Sequence, residues 1–283
     1  EKISYRELAT TEEGIFYLPE KIYQGSYYFR ELTEPEGYDR AEDYYFDLWD
    51  LYDWPEPYIV RIPVSPSKNV IRIQMEDAQN GQSVAGAVFQ IIAAEDIVTM
   101  DGTLRFHEGE TAGEINCNEQ GYGESEPLYL GTYLLRQSGI PEYYAKIQEE
   151  PEAEVEKRGN EETETLEVLA ERTRIRLKLT DELYDTLPLE GAQFSVSQEG
   201  KDELELLYTD RNGILELSSL DKNAVYHIRQ TEAGDGYLLP GEEYTVTVDQ
   251  DGRIDGEAEA ELNLTNRIIR VNIQAAEAVL QRG

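Results

Sequence analysis

A short motif occurs three times in this chain of 283 residues. It reads YYFRELTEPEGYDR at 27–40, YLLRQSGIPEYY at 133–144 and YHIRQTEAGDGY at 226–237. In each copy, tyrosine, an apolar residue and arginine precede a glutamate or glutamine, and another tyrosine follows. The aligned acid or amide is Glu31, Gln137 or Gln230. Internal similarity at a spacing of about 100 residues indicates an array of related small domains.

Two further signatures repeat in step with this motif. Gly14, Gly121 and Gly213 close the polar stretches TTEEG, CNEQG and TDRNG, which predict tight turns with glycine at positive φ. The stretches IRIQMEDAQNGQSVAGAVFQI at 71–91 and IRLKLTDELYDTLPLEGAQFSV at 175–196 each predict an opening strand, a turn and a second strand. A third opening strand is predicted in IIRVNIQAAEAVLQRG at 268–283.

Short alternating runs, separated by Gly, Asn, Asp and Pro, predict an all-β fold of sandwich domains in series. We expect the C-terminal part of a first domain, a whole second domain (module two), a whole third domain (module three) and the opening strand of a fourth. Their predicted ranges are 1–66, 67–172, 173–267 and 268–283.

Two stretches depart from the alternating pattern. The acidic insertion QEEPEAEVEKRGNEETET at 148–165 predicts a solvated loop or a protruding hairpin. The aromatic and acidic run DYYFDLWDLYDWPEPY at 43–58 precedes PVSPSKN at 63–69, which has the composition of a linker.

Composition excludes several classes of function. A net charge of −34 repels nucleic acids and anionic membranes, so we expect no nucleic-acid partner. The single cysteine, Cys117, cannot form an intramolecular disulfide and is expected to be buried on a strand. No apolar run reaches the ~18–20 residues that cross a bilayer, so we expect no membrane insertion by this fragment. No signal peptide is visible, and an export signal and anchor would lie outside this chain.

Module three combines GAQF, TDRNG and GDGY in the order that is typical of one family. The chain resembles the prealbumin-like B-type (SpaA or Cna B-type) repeat domains of Gram-positive surface adhesins and pilins, over essentially its whole length. The resemblance implies tandem Ig-like, prealbumin-like β-sandwiches without a cofactor. It also implies an extracellular location, on the cell surface or anchored to the cell wall of a Gram-positive-type bacterium.

Many members of that family carry an isopeptide bond between a lysine on the first strand and an asparagine on the last. A glutamate in the repeated motif assists the proton transfer. Burial disfavours the charged forms of both the lysine and the acid, which leaves a nucleophilic amine beside a protonated carboxyl group.

The residues of this chain depart from that pattern. The lysine position holds Met75 in module two and Leu179 in module three, and the glutamate position holds Gln137 and Gln230. We therefore predict no isopeptide bond in either module. Asn266 matches the asparagine position of module three and is expected to be unreacted, whereas module two has Ala170 or Glu171 there.

The first repeat keeps Glu31, but its opening strand lies before residue 1. Its crosslink is therefore left open, and the alternative is that Glu31 is a hydrogen-bonded strand carboxylate.

No pattern in the sequence indicates catalysis, so we expect no enzyme and no catalytic residues. His107 and His227 lack a serine or carboxylate at a recognisable spacing. The stretch DQDGRIDGE at 249–257 is weakly similar to a calcium loop through Asp249, Asp251 and Asp255, but it lacks the closing glutamate. A β-hairpin turn at Asp-Gly is the preferred interpretation.

The aromatic run offers a candidate binding site. Trp49 and Trp54, with Tyr52 between them, lie among aspartates, and exposed tryptophans of this kind bind sugars or anchor protein partners. The alternative is that the run packs at the junction of the first and second repeats.

The sequence therefore predicts a structural stalk or spacer of a surface adhesin or pilin-like protein, in contact with other domains of the same long chain. One alternative is an adhesin that binds a host or environmental glycan or a matrix protein through Trp49 and Trp54. A second alternative is a filament subunit in which strand 268–278 completes the first domain of a neighbouring copy.

Overall fold

The computed structural model describes residues 6–18, 22–49, 59–157, 165–202 and 204–271. These residues form β-strands, turns and loops, and no helix is present among them, so the predicted all-β class is confirmed. The chain divides into two compact units, residues 1–67 and 68–283. The predicted boundary at 66/67 lies beside this division, and the rest of the four-part division stays a prediction.

The first unit contains one two-stranded antiparallel sheet, of β1 (Gly25–Phe29) and β2 (Tyr44–Leu48). Its inner face is aromatic. The Phe46 ring stacks on Phe29 at 5.1 Å and on Tyr27 at 5.8 Å, and Phe16 meets the Phe29 ring edge-on at 5.5 Å. Large aromatic side chains thus supply the packing of this small sheet.

Module two, in the second unit, is a sandwich of a four-stranded sheet, β12-β11-β5-β8, and a three-stranded sheet, β13-β4-β9. Two short antiparallel pairs, β6-β7 and β10-β3, complete the module. Its strands are β3 (Lys68–Asn69), β4 (Arg72–Asp77), β5 (Val88–Ala93), β6 (Ile97–Val98), β7 (Leu104–Phe106), β8 (Thr111–Asn116), β9 (Tyr122–Glu124), β10 (Leu128–Tyr129), β11 (Gly131–Gly139), β12 (Glu152–Val155) and β13 (Thr165–Ala170).

Module three repeats this topology. Its sheets have the orders β16-β15-β18-β19 and β17-β14-β20, and in both modules the first long strand pairs in parallel with the last. Its strands are β14 (Arg174–Asp181), β15 (Gln193–Gln198), β16 (Leu204–Tyr208), β17 (Ile214–Leu217), β18 (Ala224–Glu232), β19 (Glu243–Val248) and β20 (Glu259–Asn266).

Each module has its own hydrophobic core. One buried cluster runs from Ile71 to Ala170, and a second runs from Ile175 to Ile254. The alternation along β4 and β14 places Met75 and Leu179 in these cores, as the period of two requires. Each fully buried side chain of this size contributes about 1.5–3 kcal/mol.

The repeated turn glycines lie beside the lysine positions. Gly121 and Gly213 have φ values of 70° and 71°, and Gly14 has 73°, which confirms the predicted positive φ. A Cβ at Gly121 would lie 2.4 Å from the carbonyl oxygen of Met75, and one at Gly213 would lie 2.3 Å from that of Leu179. Glycine is therefore required for backbone conformation and for close approach.

The prediction for the acidic insertion 148–165 is wrong in part. Residues 152–155 form β12, which pairs with β11 in the main sheet and buries Ala153 and Val155. The glutamates of this strand point outward, and their charge made a half-buried strand resemble a solvated loop in the sequence. Residues 158–164 lie outside the described part of the chain.

The predicted β-hairpin at 249–257 is also wrong. The segment does turn, with the N–H of Gly252 donating to the carbonyl of Asp249 at 3.2 Å. However, β19 pairs with β18 whereas β20 pairs with β14, so the segment connects the two sheets.

The opening strand predicted at 268–283 is described only as far as Val271. Ile268 forms an antiparallel bridge with Tyr237. Most of the segment proposed for strand exchange, 268–278, therefore lies outside the described residues.

Candidate functional site

The crosslink positions of module three lie on the core faces of two adjacent parallel strands. Leu179 on β14 is opposite Leu264 on β20, and Asp181 is opposite Asn266. Leu179 and Asn266 therefore share one face and are offset by two residues along the strands. The apolar Leu179 supplies no amine that could react.

Asn266 is buried without a hydrogen-bonding partner. It is 1% exposed, and neither its Nδ2 nor its Oδ1 has a partner in the protein. An unsatisfied buried amide costs about 1–3 kcal/mol, so Asn266 is not explained by its contribution to stability.

Module two lacks both ends of the crosslink. Met75 is opposite Val168 and Asp77 is opposite Ala170, so the register places the fully buried Ala170 where module three has Asn266. The register thus assigns the asparagine position of module two to Ala170 rather than Glu171.

The glutamate position serves as a hydrogen-bond acceptor in two of the three copies. The Oε1 atom of Gln137 accepts from the N–H of Ile147 at 2.9 Å, and the Oε2 atom of Glu31 accepts from the N–H of Ala41 at 2.6 Å. Each partner lies 10 residues after the acceptor. Glu31 thus has a backbone hydrogen-bond donor within the first unit.

Gln230 cannot make the same contact. The residue at the equivalent place is Pro240, which has no backbone N–H. The side chain instead donates through Nε2 to the carbonyl of Glu232 at 3.2 Å.

The last tyrosine of the motif is bound to the opening strand. The hydroxyl of Tyr144 donates to Asp77 at 2.8 Å, and that of Tyr237 donates to Asp181 at 2.9 Å. Burial acts to raise the pKa of Asp77, but hydrogen bonds from the Gln79 N–H, Tyr144 and other donors outweigh it and lower the pKa. Burial, with the bond to Asp77, raises the pKa of Tyr144 to about 12.

The C-terminal end of the motif also forms backbone hydrogen bonds with the chain segment that leads out of the module. In module two the N–H of Ala145 donates to Glu171 at 2.9 Å, and the N–H of Thr173 donates to Tyr143 at 3.0 Å. Tyr143 has a φ of 64°, and the matching positions in the other copies are Gly37 and Gly236, with φ values of 74° and 85°. The motif therefore binds the exit segment through backbone hydrogen bonds, and all three copies have a positive φ at the same position.

A turn of module three, Asp249–Ile254 (the docking turn), packs on this end of module two. The N–H of Lys146 donates to the carbonyl of Asp251 at 2.8 Å, and the hydroxyl of Thr173 donates to that of Gly252 at 2.6 Å. Arg253 donates in return to the carbonyl of Lys146 at 2.5 Å. The bonds of Lys146 thus join the two modules directly, and the bond of Thr173 ties the first residue of module three to its own docking turn.

Two further residues fix the junction. Gly252 has a φ of 73°, and a Cβ there would lie 2.5 Å from the carbonyl oxygen of Tyr144. The ammonium group of Lys222 donates to the carbonyls of Ile140 at 2.8 Å and Pro141 at 2.7 Å. Burial lowers the pKa of Lys222, and Glu142 opposes this effect.

Two of the three weak calcium candidates, Asp249 and Asp251, belong to this docking turn. The carboxylate of Asp249 accepts from the N–H of Asp251 at 2.9 Å and from that of Arg253 at 2.8 Å. Asp255 has a φ of 52° and lies in the adjacent turn, where Ile254 and Glu257 bridge. In the described ranges, no group of three or more His, Cys, Asp or Glu residues could hold a metal ion.

The remaining residues of reactive types are Cys117, His107 and His227. Cys117 is buried, and burial raises the pKa of its thiol to about 11, so the thiol is protonated at neutral pH. The imidazole of His227 lies 3.4 Å from Glu243, and the exposed imidazole of His107 lies 3.5 Å from Asp96.

The outer face of the β1–β2 sheet carries Tyr45 and Trp49 from the aromatic run, whereas Phe46 lies on the inner face. Trp49 is 61% exposed. On this face the rings of Tyr28 and Tyr45 stack at 5.5 Å, and Arg30 donates two hydrogen bonds to Asp43, at 2.8 and 2.6 Å. We call Tyr28, Tyr45 and Trp49 the aromatic face.

Tyr52 and Trp54 lie outside the described residues. Tyr28 was not predicted as part of the candidate binding site, although its alternation with Tyr27 and Phe29 was a usable signal.

Comparison with known proteins identifies the type of module three. Residues 174–262 match the family model of the SpaA prealbumin-like fold domain. Module three is thus a prealbumin-like domain of the SpaA type, in agreement with the resemblance seen in the sequence. No curated protein matches the chain.

Several solved structures are similar to the chain at low identity. The Bacillus anthracis TIE protein is 20% identical, with a TM-score of 0.46, and the match covers 91% of this chain and 45% of that one. The streptococcal ancillary pilin is 16% identical, with a TM-score of 0.34 and coverages of 88% and 76%. The minor pilin of Streptococcus agalactiae is 14% identical, with a TM-score of 0.29 and coverages of 74% and 99%.

The chain thus spans less than half of the TIE protein structure. In the part of the chain that is described, no helix has the length and apolar character needed to cross a membrane.

Proposed function

We propose that this chain is a spacer segment of a bacterial cell-surface protein of the adhesin or pilin type. The observation that carries the proposal is the junction of modules two and three, where two separately cored sandwiches are joined end to end by hydrogen bonds. Modules joined in series extend a protein by duplication, and each contacts only its neighbours.

The family match at 174–262 and the repeated motifs support a surface location, anchored to the cell wall and outside the cell. The net charge of −34 would keep neighbouring spacers apart. Other domains of the same chain are the expected partners. The proposal includes the four-part division at 1–66, 67–172, 173–267 and 268–283, the absence of isopeptide bonds in modules two and three, and the absence of enzymatic activity.

Deletion of both central modules tests the spacer role. The chain is displayed on a cell-wall-anchored reporter with an epitope at its outer end, and residues 68–267 are removed in one variant. We expect the epitope to lie closer to the wall and to become less accessible to a large antibody. An unchanged accessibility would contradict the proposal.

A second candidate function is ligand binding through the aromatic face. It is favoured by the exposure of Trp49 and by the stacked pair of Tyr28 and Tyr45, whose order reduces the entropy lost on binding. Flat aromatic rings beside carboxylates bind sugars by stacking and hydrogen bonding, and they also anchor protein partners. A glycan or a matrix protein is therefore the expected ligand.

The purified chain should be screened against glycans and extracellular-matrix proteins beside two variants. Trp49→Ala removes the exposed ring, and Tyr208→Ala removes an equally exposed ring in module three as the control. Binding that is lost only in Trp49→Ala supports the ligand-binding role. Absence of binding by the unmodified chain, or binding equal in all three, contradicts it.

A further inference from the structure

The end of module three repeats the backbone arrangement with which module two receives the docking turn. The N–H of Leu238 donates to Arg267 at 2.8 Å, as Ala145 donates to Glu171. The N–H of Ile269 donates to Gly236 at 2.8 Å, as Thr173 donates to Tyr143. Residues 237–239 and 267–269 therefore present the same framework as residues 144–146 and 171–173.

The two ends differ in what covers them. Ala145 is 2% exposed and Thr173 is 0% exposed, because the docking turn lies on them. Their counterparts Leu238 and Ile269 are 47% and 50% exposed. Two more apolar side chains, Leu239 and Ile268, are also exposed beside them. We call these four residues the end surface.

The polar groups around the end surface also match. The carbonyls of Ile140 and Pro141 that bind Lys222 in module two correspond to those of Ala233 and Gly234. One contact is not reproduced, because Ile269 has no hydroxyl to replace that of Thr173. The apolar end surface offers burial of hydrophobic area instead.

We propose that the end surface is a docking site for another prealbumin-like module, which presents a glycine-tipped turn and a lysine equivalent to Gly252 and Lys222. The inference rests on the proposed spacer function and deepens it. Under this proposal, the junction of modules two and three is one example of a contact that repeats between successive modules. The occupant is set by the matching backbone framework, since the equivalent framework one module earlier already binds such a turn.

A fusion protein tests the proposal, because docking of a second module would bury a thiol introduced on the end surface. A second copy of residues 174–271 is joined directly after Ile269. Ile269 then precedes the second copy as Thr173 precedes the first. Leu238→Cys is introduced in a Cys117→Ala background, and the rate of labelling by a thiol reagent is compared with that of the unfused chain. We expect labelling at least about tenfold slower in the fusion, because the thiol would react only when the joint opens.

Two controls isolate the docking turn. Leu204→Cys, on an exposed strand of the first copy of module three, should be labelled at the same rate with and without the fusion. Gly252→Val in the appended copy alone should restore fast labelling of Leu238→Cys, since a side chain there blocks the close approach.

Fast labelling in the fusion would overturn the proposal, as would slow labelling that Gly252→Val does not reverse. Neither result would affect the epitope measurement on which the spacer role depends, because a spacer with flexible joints still sets a distance.

Discussion

Gln137 and Ile147 are joined by a hydrogen bond of 2.9 Å from the backbone N–H of Ile147 to the side-chain oxygen of Gln137. Glu31 and Ala41 form the same contact in the first unit, so either an acid or an amide can serve. In module three, Pro240 removes the donor, and Gln230 turns to the carbonyl of Glu232. The motif therefore has a bonded side-chain acceptor in the two copies in which the residue 10 positions later has a backbone N–H.

This difference predicts unequal effects of one substitution in the two modules. Gln137→Met leaves the N–H of Ile147 without its acceptor and should destabilise module two by about 1–2 kcal/mol. Gln230→Met leaves no such donor unpaired and should change module three by less than about 0.5 kcal/mol. Hydrogen exchange resolved by peptide measures both modules in the intact chain. Equal losses of protection would show that the Ile147 contact carries no stability.

Strand periodicity explains why much of this fold was predictable. Side chains alternate between two faces with a period of two, so the apolar phase of β4 and β14 placed Met75 and Leu179 inside. The turn glycines were equally clear, because a left-handed backbone leaves a strong compositional signal. Comparison of the repeats then indicated that modules two and three begin with the same strand, turn and second strand.

The junction was not predictable from local patterns. The Asp-Gly pair at 251–252 specifies a turn, but it does not specify whether the flanking strands pair, and here β19 and β20 belong to different sheets. The contact between Gly252 and the carbonyl of Tyr144 joins residues from different modules, and no local pattern records it. In β12, outward glutamates concealed the strand although Ala153 and Val155 kept its alternation.

The apolar residues at the two lysine positions predict the covalent state of modules two and three. The mass of a proteolytic fragment that spans residues 67–267 should equal the mass of its sequence, because neither Met75 nor Leu179 can attack an amide. A fragment lighter by one ammonia would contradict this prediction. Fragmentation of the intact peptide would then locate the bond.

Module three should accept a crosslink by design. In Leu179→Lys with Gln230→Glu, the resemblance to crosslinked domains implies attack of the lysine Nζ on the Cγ of Asn266. A new C–N bond forms, the carboxamide C–N bond breaks, and ammonia leaves. We expect a mass lower by one ammonia. The same pair of changes with Asn266→Ala should give the full mass, and a folded double variant without loss of ammonia would contradict the prediction.

The bond between Tyr144 and Asp77 predicts a defined response to acid. Since the folded-state pKa of Asp77 is lowered from 3.8, its stabilising effect is present above that value and is lost as pH falls through the lower, folded-state pKa. Tyr144→Phe removes one donor, so it should cost about 1.5–3 kcal/mol at neutral pH and should raise the pH at which module two unfolds.

Circular dichroism and peptide-resolved hydrogen exchange across an acid titration measure this response. Tyr237→Phe is the matched change, and its effect should be confined to module three through Asp181. An acid midpoint of module two that does not move would show that the Tyr144 hydroxyl does not hold the Asp77 carboxylate.

Gly252 and Gly256 provide a matched pair that separates the junction from local strain. Both have positive φ, at 73° and 89°, so alanine at either position costs about 1–2 kcal/mol through the backbone alone. Only at Gly252 would the new Cβ meet another module, 2.5 Å from the carbonyl oxygen of Tyr144, whereas at Gly256 nothing lies within 4 Å. Gly252→Ala should therefore displace the docking turn and break the bond from the Lys146 N–H to Asp251.

Hydrogen exchange at residues 144–147 and 171–174 should accelerate in Gly252→Ala and stay unchanged in Gly256→Ala. Distances between spin labels on modules two and three should broaden only in Gly252→Ala, because the joint would then allow several orientations. Identical behaviour of the two variants would mean that the docking turn contributes no rigidity to the junction.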